Sequence, residues 1–226
     1  MPDNNIQTRL QQVRSALPPD VTLVAISKYH HPDDILSAYH AGQRIFGESR
    51  EQELALKHST LPADISWHFI GHLQTNKVRL IAPFISCIQS VDSERLLSEI
   101  NKRAAQNNRV IDILLEVHVA AETTKSGFAP SDLYKFLDSD LWKGMNAIRI
   151  RGIMGMATNT DDTATIHADF QTLRQIYDHL KDKYFNSYPH FDTLSMGMSH
   201  DYPIALQHGS NMVRVGTAIF GSPLPH

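Results

Sequence analysis

Leu23-Val24-Ala25-Ile26-Ser27-Lys28, followed at once by Tyr29-His30-His31-Pro32-Asp33-Asp34-Ile35-Leu36, is the stretch that decides the fold. A short apolar run before turn residues and a helix start reads as a buried strand ending in a loop. Pro32 suits a first helical position, and Asp33 and Asp34 complement the helix dipole. Ile35, Leu36 and Tyr39 form the buried stripe, and Gly42 ends the helix. One strand, one loop and one helix make a β/α unit, with Lys28 where the strand opens into its loop.

Outward from this unit the alternation repeats. Before it, residues 6–17 carry Ile6, Leu10, Val13 and Leu17 at helical spacing, stopped by Pro18-Pro19-Asp20. After it, strands are expected at 44–46, 67–70, 86–89, 110–119, 148–154, 193–196 and 212–215. Helices are expected at 51–57, 76–81, from Asp92-Ser93, from Pro130-Ser131, at 164–184 and at 201–207. Eight strands, each followed by a helix or helical turn and with no internal linker, predict one domain over residues 1–226. Its fold class is α/β, a single (β/α)8 TIM barrel with an extra N-terminal helix. A doubly wound open sheet is the competitor, because periodicity does not show closure.

Composition narrows the function. The 226 residues are 42% hydrophobic and 20% charged, ordinary for a globular protein. A net charge of -3 gives no case for nucleic acid or an anionic membrane surface, both of which favour basic patches. The single cysteine, Cys87, excludes an internal disulfide framework and sits in the apolar run 84–88, as a buried structural thiol would. The polar N-terminus has no apolar h-region, and no stretch approaches a membrane span. A cytoplasmic location is the expectation.

Several polar or glycine-rich clusters follow predicted strands, where a barrel keeps its active site. They are Ser27-Lys28, Gly47-Glu48-Ser49, Gly71-His72, Lys125-Ser126-Gly127, Gly197-Met198-Ser199 and Gly216-Thr217. On position alone Lys28 reads as a solvated lysine at a strand end. Ser199, Gly216 and Thr217 change that, because glycines and hydroxyls after strands seven and eight commonly hold phosphate in barrels. Singly, Gly216 also fits a turn and Ser199 a helix cap. An amine facing such a cradle suits an aldehyde-bearing phosphate ligand, since a lysine amine forms Schiff bases.

Arg214 shares a strand face with Gly216 inside an apolar strand. It reads either as the partner of a carboxylate such as Glu116 or Glu48, or as a donor to a ring nitrogen that it would keep unprotonated. Glu116 and His118 share a face and read as a buried polar pair rather than an acid/base pair. His68 and His72 are four apart, but Gly71 argues against helical ligand geometry, and no metal is expected.

The segments 21–28, 46–48, 67–77, 90–93, 125–127, 194–199 and 213–221 resemble, in order and over nearly the whole chain, the pyridoxal-phosphate homeostasis proteins. The resemblance implies a barrel similar to the N-terminal domain of bacterial alanine racemase, with pyridoxal 5′-phosphate as an internal aldimine. It implies Lys28 as the Schiff-base lysine, Ser199, Gly216 and Thr217 as phosphate contacts, and Arg214 as the partner of the pyridine nitrogen. Family members bind and buffer the cofactor without an established catalytic reaction, so no catalytic residue is assigned. PLP-dependent apo-enzymes are the expected recipients, and a monomer is expected. The chain departs from the family pattern at Ser49-Arg50, where Asn-Tyr is common, and at His118, where Asn is usual. An amino-acid racemase is one alternative. It needs a second base, which alanine racemase takes from a C-terminal β-domain, and none is expected past strand eight. A cofactor-free Schiff-base aldolase barrel is the other, and it explains Lys28 and the phosphate cradle but accounts less naturally for Arg214.

Overall fold

Eight parallel strands run in sequence order around a closed barrel in the computed structural model, which describes residues 4–122 and 126–222. They are β1 (Thr22–Ile26), β2 (Ile45–Glu48), β3 (Ser66–Phe69), β4 (Cys87–Val91), β5 (Ile111–Val117), β6 (Ile148–Gly155), β7 (Thr193–Ser195) and β8 (Met212–Val215). Closure, the step periodicity leaves open, is made by β1 on β8, with Val24 beside Arg214 and Ala25 beside Val215. The fold is a (β/α)8 TIM barrel.

Helix α1 (Asn4–Ser15) precedes the barrel. Helices α2 (Pro32–His40), α3 (Glu51–Thr60), α4 (Val78–Ile81), α5 (Glu94–Gln106), α6 (Pro130–Asp138), α7 (Thr163–Lys183), α8 (Tyr202–Gln207) and α9 (Thr217–Phe220) follow the strands. Several of their starts are set by side chains that satisfy free N–H groups. The His31 ring accepts from Asp33 N–H (3.3 Å) while the Asp34 carboxylate accepts from His31 N–H (3.3 Å). Asp162 caps α7 by accepting from Ala164 N–H (3.1 Å). The expected stripes are the buried ones, as Leu96, Leu97, Ile100 and Ala104 show in α5. The expected strand 110–119 is shorter, ending at Val117, a 3-10 turn (Leu141–Gly144) precedes β6, and two helical segments also differ. Residues 76–81 divide into a 3-10 turn (Thr75–Lys77) and α4, with no side chain capping either start. Helix α9 is one turn long, too short to leave a periodic pattern.

The main apolar core lies between barrel and helices, with Phe46, Trp67, Phe69, Phe170 and Leu173 wholly or almost wholly buried. Inside the barrel a small separate cluster, Cys87, Leu114 and Met154 with Met156 and Met212 against it, fills the middle layer. Burial pushes the Cys87 thiol well up, so it stays protonated. A bulge in β6, where Ile113 pairs with Ile150 and Leu114 with Gly152, brings the strand so close to β7 that a Cβ on Gly152 would collide with the Thr193 carbonyl. Beyond the bulge Met154 joins the interior cluster, and Met156 follows it at the mouth. No helix among the described residues is long and apolar enough to cross a membrane.

Candidate functional site

Lys28 stands one residue beyond Ser27 at the C-terminal end of β1, in the turn Ser27-Lys28-Tyr29-His30 that His30 N–H closes on the Ser27 carbonyl (3.1 Å). Tyr29 adopts φ 67°, a left-handed backbone that costs a bulky side chain roughly 1–3 kcal/mol. The turn opens into a cavity of ≈ 310 Å³ at the barrel mouth, lined by Lys28, Ser49, Met156, Ser199, Arg214, Gly216 and Thr217 among others. Every residue expected from the sequence to touch the ligand therefore borders one cavity. Its size falls within the ~300–1,000 Å³ of small-molecule sites.

One wall of the cavity is built by the end of β8 and the start of α9. Gly216 ends β8 pressed against Ile26 of β1, where a Cβ would sit 3.2 Å from the Ile26 carbonyl, and this brings the end of β8 and its N–H close beside β1. The N–H groups of Gly216 (3.2 Å) and Ala218 (3.5 Å) converge on the Ser199 hydroxyl. Among the described residues Thr217 makes no hydrogen bond through its N–H or its hydroxyl. The free Thr217 N–H, two hydroxyls and a helix start at one spot are donors that suit an anion's oxygens.

Arg214 is 4% exposed and has no carboxylate partner among the described residues, so neither Glu116 nor Glu48 pairs with it. Its Nη1 donates to the Ser195 hydroxyl (2.7 Å) and carbonyl (3.0 Å), and its Nη2 to the Gly155 carbonyl (2.9 Å). A guanidinium has five N–H donors, so donors remain for the cavity. Ser195 Oγ donates onward to Gln89 Oε1 (2.7 Å), and Gln89 Nε2 donates to His68 Nδ1 (2.9 Å). His68 accepts only when neutral, and burial brings its pKa down to about 4. Burial also lowers Arg214, to about 10, which leaves it cationic at neutral pH. The arrangement is a fixed cation hydrogen-bonded only to neutral groups, with Asp201 and Glu116 acting on its charge without touching it.

The remaining candidates sort to either side of this cavity. Glu48 turns outward to α3, accepting from Ser27 Oγ (2.6 Å) and from Lys57 Nζ (2.8 Å). Glu116 is buried and accepts from the Ser126 hydroxyl (3.1 and 3.2 Å); desolvation lifts its pKa to about 7. His118 lies past the end of β5, in the loop whose Phe128 pairs with Val117. His72 bonds Asp92 (3.2 Å), away from His68. Arg50 lies over the Tyr29 ring (4.7 Å), beside Lys28 (6.0 Å from the same ring). Lys125 lies outside the described residues. Met154, Met156 and Met198 also line the cavity, and sequence reasoning missed them because apolar residues at strand ends look like core.

The family model of the alanine racemase N-terminal domain matches residues 3–223. The pyridoxal phosphate homeostasis protein of Aquifex aeolicus is 38% identical over 200 residues, 88% of this chain and 86% of that protein. The protein of that name from Pasteurella multocida is 35% identical, over 96% of this chain and 93% of its own length. Among solved structures, PipY of Synechococcus elongatus PCC7942 with PLP bound superposes with a TM-score of 0.86 at 37% identity, covering 96% of this chain and 100% of that one. Alanine racemase from Streptomyces lavendulae shares the fold alone, at 17% identity and a TM-score of 0.77, with this chain spanning 58% of its length. The cavity at the mouth of this barrel thus sits in a chain that belongs to the family of pyridoxal phosphate homeostasis proteins.

Proposed function

We propose that this protein binds pyridoxal 5′-phosphate through Lys28 and serves intracellular cofactor homeostasis as a carrier rather than as a catalyst. The observation that carries this is the meeting in one cavity of a lysine amine, a cluster of N–H and O–H donors and a buried arginine with no carboxylate bonded to it. The residues fit the cofactor group by group. Ser199, Gly216 and Thr217 would bind the phosphate through N–H and O–H donors. Arg214 would donate to the pyridine nitrogen, and as a permanent cation it would keep that nitrogen unprotonated. When bound, the cofactor supplies an aldehyde that condenses with the Lys28 amine to a Schiff base, releasing water. Holding the ring neutral weakens it as an electron sink, which suits storage. The chain would act as a single barrel domain and a monomer in the cytoplasm, handing the cofactor to PLP-dependent apo-enzymes.

The test is a titration of the purified protein with pyridoxal 5′-phosphate, followed by absorbance. Uptake to one equivalent with a yellow Schiff-base band is expected. Arg214→Glu is expected to raise background transamination, because a carboxylate there would let the ring nitrogen take a proton. Failure to take up the cofactor would favour the aldolase-type reading. Stereospecific turnover of an L-amino acid that Lys28→Ala abolishes would favour a racemase.

A further inference from the structure

Beneath the Lys28 turn lies a buried charged group that does not line the cavity. Lys57, on α3, is 3% exposed and spends all three ammonium donors. They go to Glu48 Oε1 (2.8 Å), Glu53 Oε1 (2.6 Å) and the carbonyl of Ser27 (2.8 Å). The same Glu53 oxygen accepts the N–H of Tyr29 (2.8 Å). The residue on each side of Lys28 is thus tied to one ion cluster, while the Lys28 side chain points the other way, into the cavity.

The backbone gives this tie its meaning. Among the four residues of the turn only Tyr29 has positive φ, and Ser27 and His30 close the four-residue hydrogen bond. That is the pattern of a type II turn, whose third position ordinarily needs glycine or asparagine. The commoner type I turn differs by a flip of its central peptide, here the one joining Lys28 to Tyr29. The N–H of that peptide is the one Glu53 accepts. Glu53 therefore selects the strained turn over the relaxed one, and Lys57 holds both Glu53 and the Ser27 carbonyl in place.

We propose that Glu53 and Lys57 are positioning residues for Lys28, holding its turn in the form that presents the amine to the cavity. This rests on the Schiff-base reading above. In Glu53→Ala the turn relaxes, the amine is re-aimed, and the anion cradle on β8 and α9 is untouched.

The experiment compares two probes on the full chain: pyridoxal 5′-phosphate, and pyridoxine 5′-phosphate, which lacks the aldehyde. Glu53→Ala is expected to weaken the aldehyde probe about tenfold and slow its absorbance change, while the alcohol probe stays within about twofold. Glu53→Gln, which still accepts the Tyr29 N–H, is expected to recover most of the loss. Adding Tyr29→Gly to Glu53→Ala is expected to recover it too, because glycine takes positive φ without strain. Lys57→Met should show the same split between probes where it folds; because it leaves buried carboxylates unpaired, the Glu53 variants decide the question. Equal affinity and rate in wild type and Glu53→Ala would overturn the proposal. A parallel loss of both probes, unrescued by Tyr29→Gly, would overturn it in favour of a purely structural role. If wild type itself forms no Lys28-linked product, the Schiff-base reading fails instead, and the two failures are told apart by that control.

Discussion

Strand β5 carries two acids facing the barrel interior, Asp112 near its start and Glu116 near its end, and the barrel treats them oppositely. At the N-terminal end Asp112 is clasped by Arg149 (2.6 Å) and Arg151 (3.1 Å), and Arg151 reaches on to Asp192 (2.8 Å). At the mouth Glu116 has a serine hydroxyl and Arg214 has neutral acceptors, so a carboxyl and a guanidinium are left apart. The shifts follow: its carboxylate partners raise Arg151 despite burial, whereas burial lowers Arg214 to about 10 and raises Glu116 to about 7. One end has closed its charges on one another and needs nothing further. The other holds buried charge that a ligand can satisfy, and such unpaired groups persist where function requires them.

Substitutions can break this contrast, and the largest effect is expected at Arg214. Arg214→Leu should weaken pyridoxal 5′-phosphate binding by about a hundredfold or more, the worth of a desolvated charged donor. Its thermal stability should hold or rise, because removing a buried unpaired charge is neutral to favourable. Calorimetry with and without the cofactor checks both signs. Asp112→Ala should do the reverse, lowering stability by about 1 kcal/mol because Arg149 loses its carboxylate and Arg151 keeps only Asp192, while leaving cofactor affinity intact. If the two variants behaved alike, the ends of the barrel would not differ as described.

Glu116 sharpens the comparison through pH. Its folded pKa lies above the ordinary 4.5, so the folded state holds the proton more tightly than the unfolded chain. Its contribution to stability is full below about 4.5 and is lost as pH rises through about 7. Glu116→Gln should abolish that decline and gain about 2 kcal/mol over wild type at pH 8, read from denaturant midpoints across pH. The smallest effect is expected at Ser199→Ala, which removes one of several anion donors. About a five- to tenfold loss of affinity for inorganic phosphate and cofactor alike should follow, with stability unchanged.

Legibility in the sequence tracked locality. The stripes of α5, α6 and α7 and the strand before Lys28 are periodic over a few residues, so they could be read to within a residue or two. That Lys28, Ser199, Arg214, Gly216 and Thr217 meet at one cavity was also legible, because strand ends in a barrel converge whatever their separation along the chain. What could not be read depends on which way a side chain turns at a strand end. Glu48, next to Gly47 at the mouth, faces α3 and Lys57 rather than the cavity. Gln89 and Ser195 look like ordinary strand residues until closure places them across the barrel interior beneath Arg214. Tyr29 carries no sign of its left-handed backbone, because aromatic side chains rarely adopt it and the carboxylate that accepts its N–H lies 24 residues away.

The central claim, that Lys28 is the tether, is tested most directly by borohydride reduction of the protein saturated with pyridoxal 5′-phosphate, then peptide mapping by mass. Bleaching of the yellow band with one reduced pyridoxyl group on the peptide containing Lys28, absent in Lys28→Ala, is the expected result. A reduced adduct on another lysine, or uptake and trapping undiminished in Lys28→Ala, would contradict it.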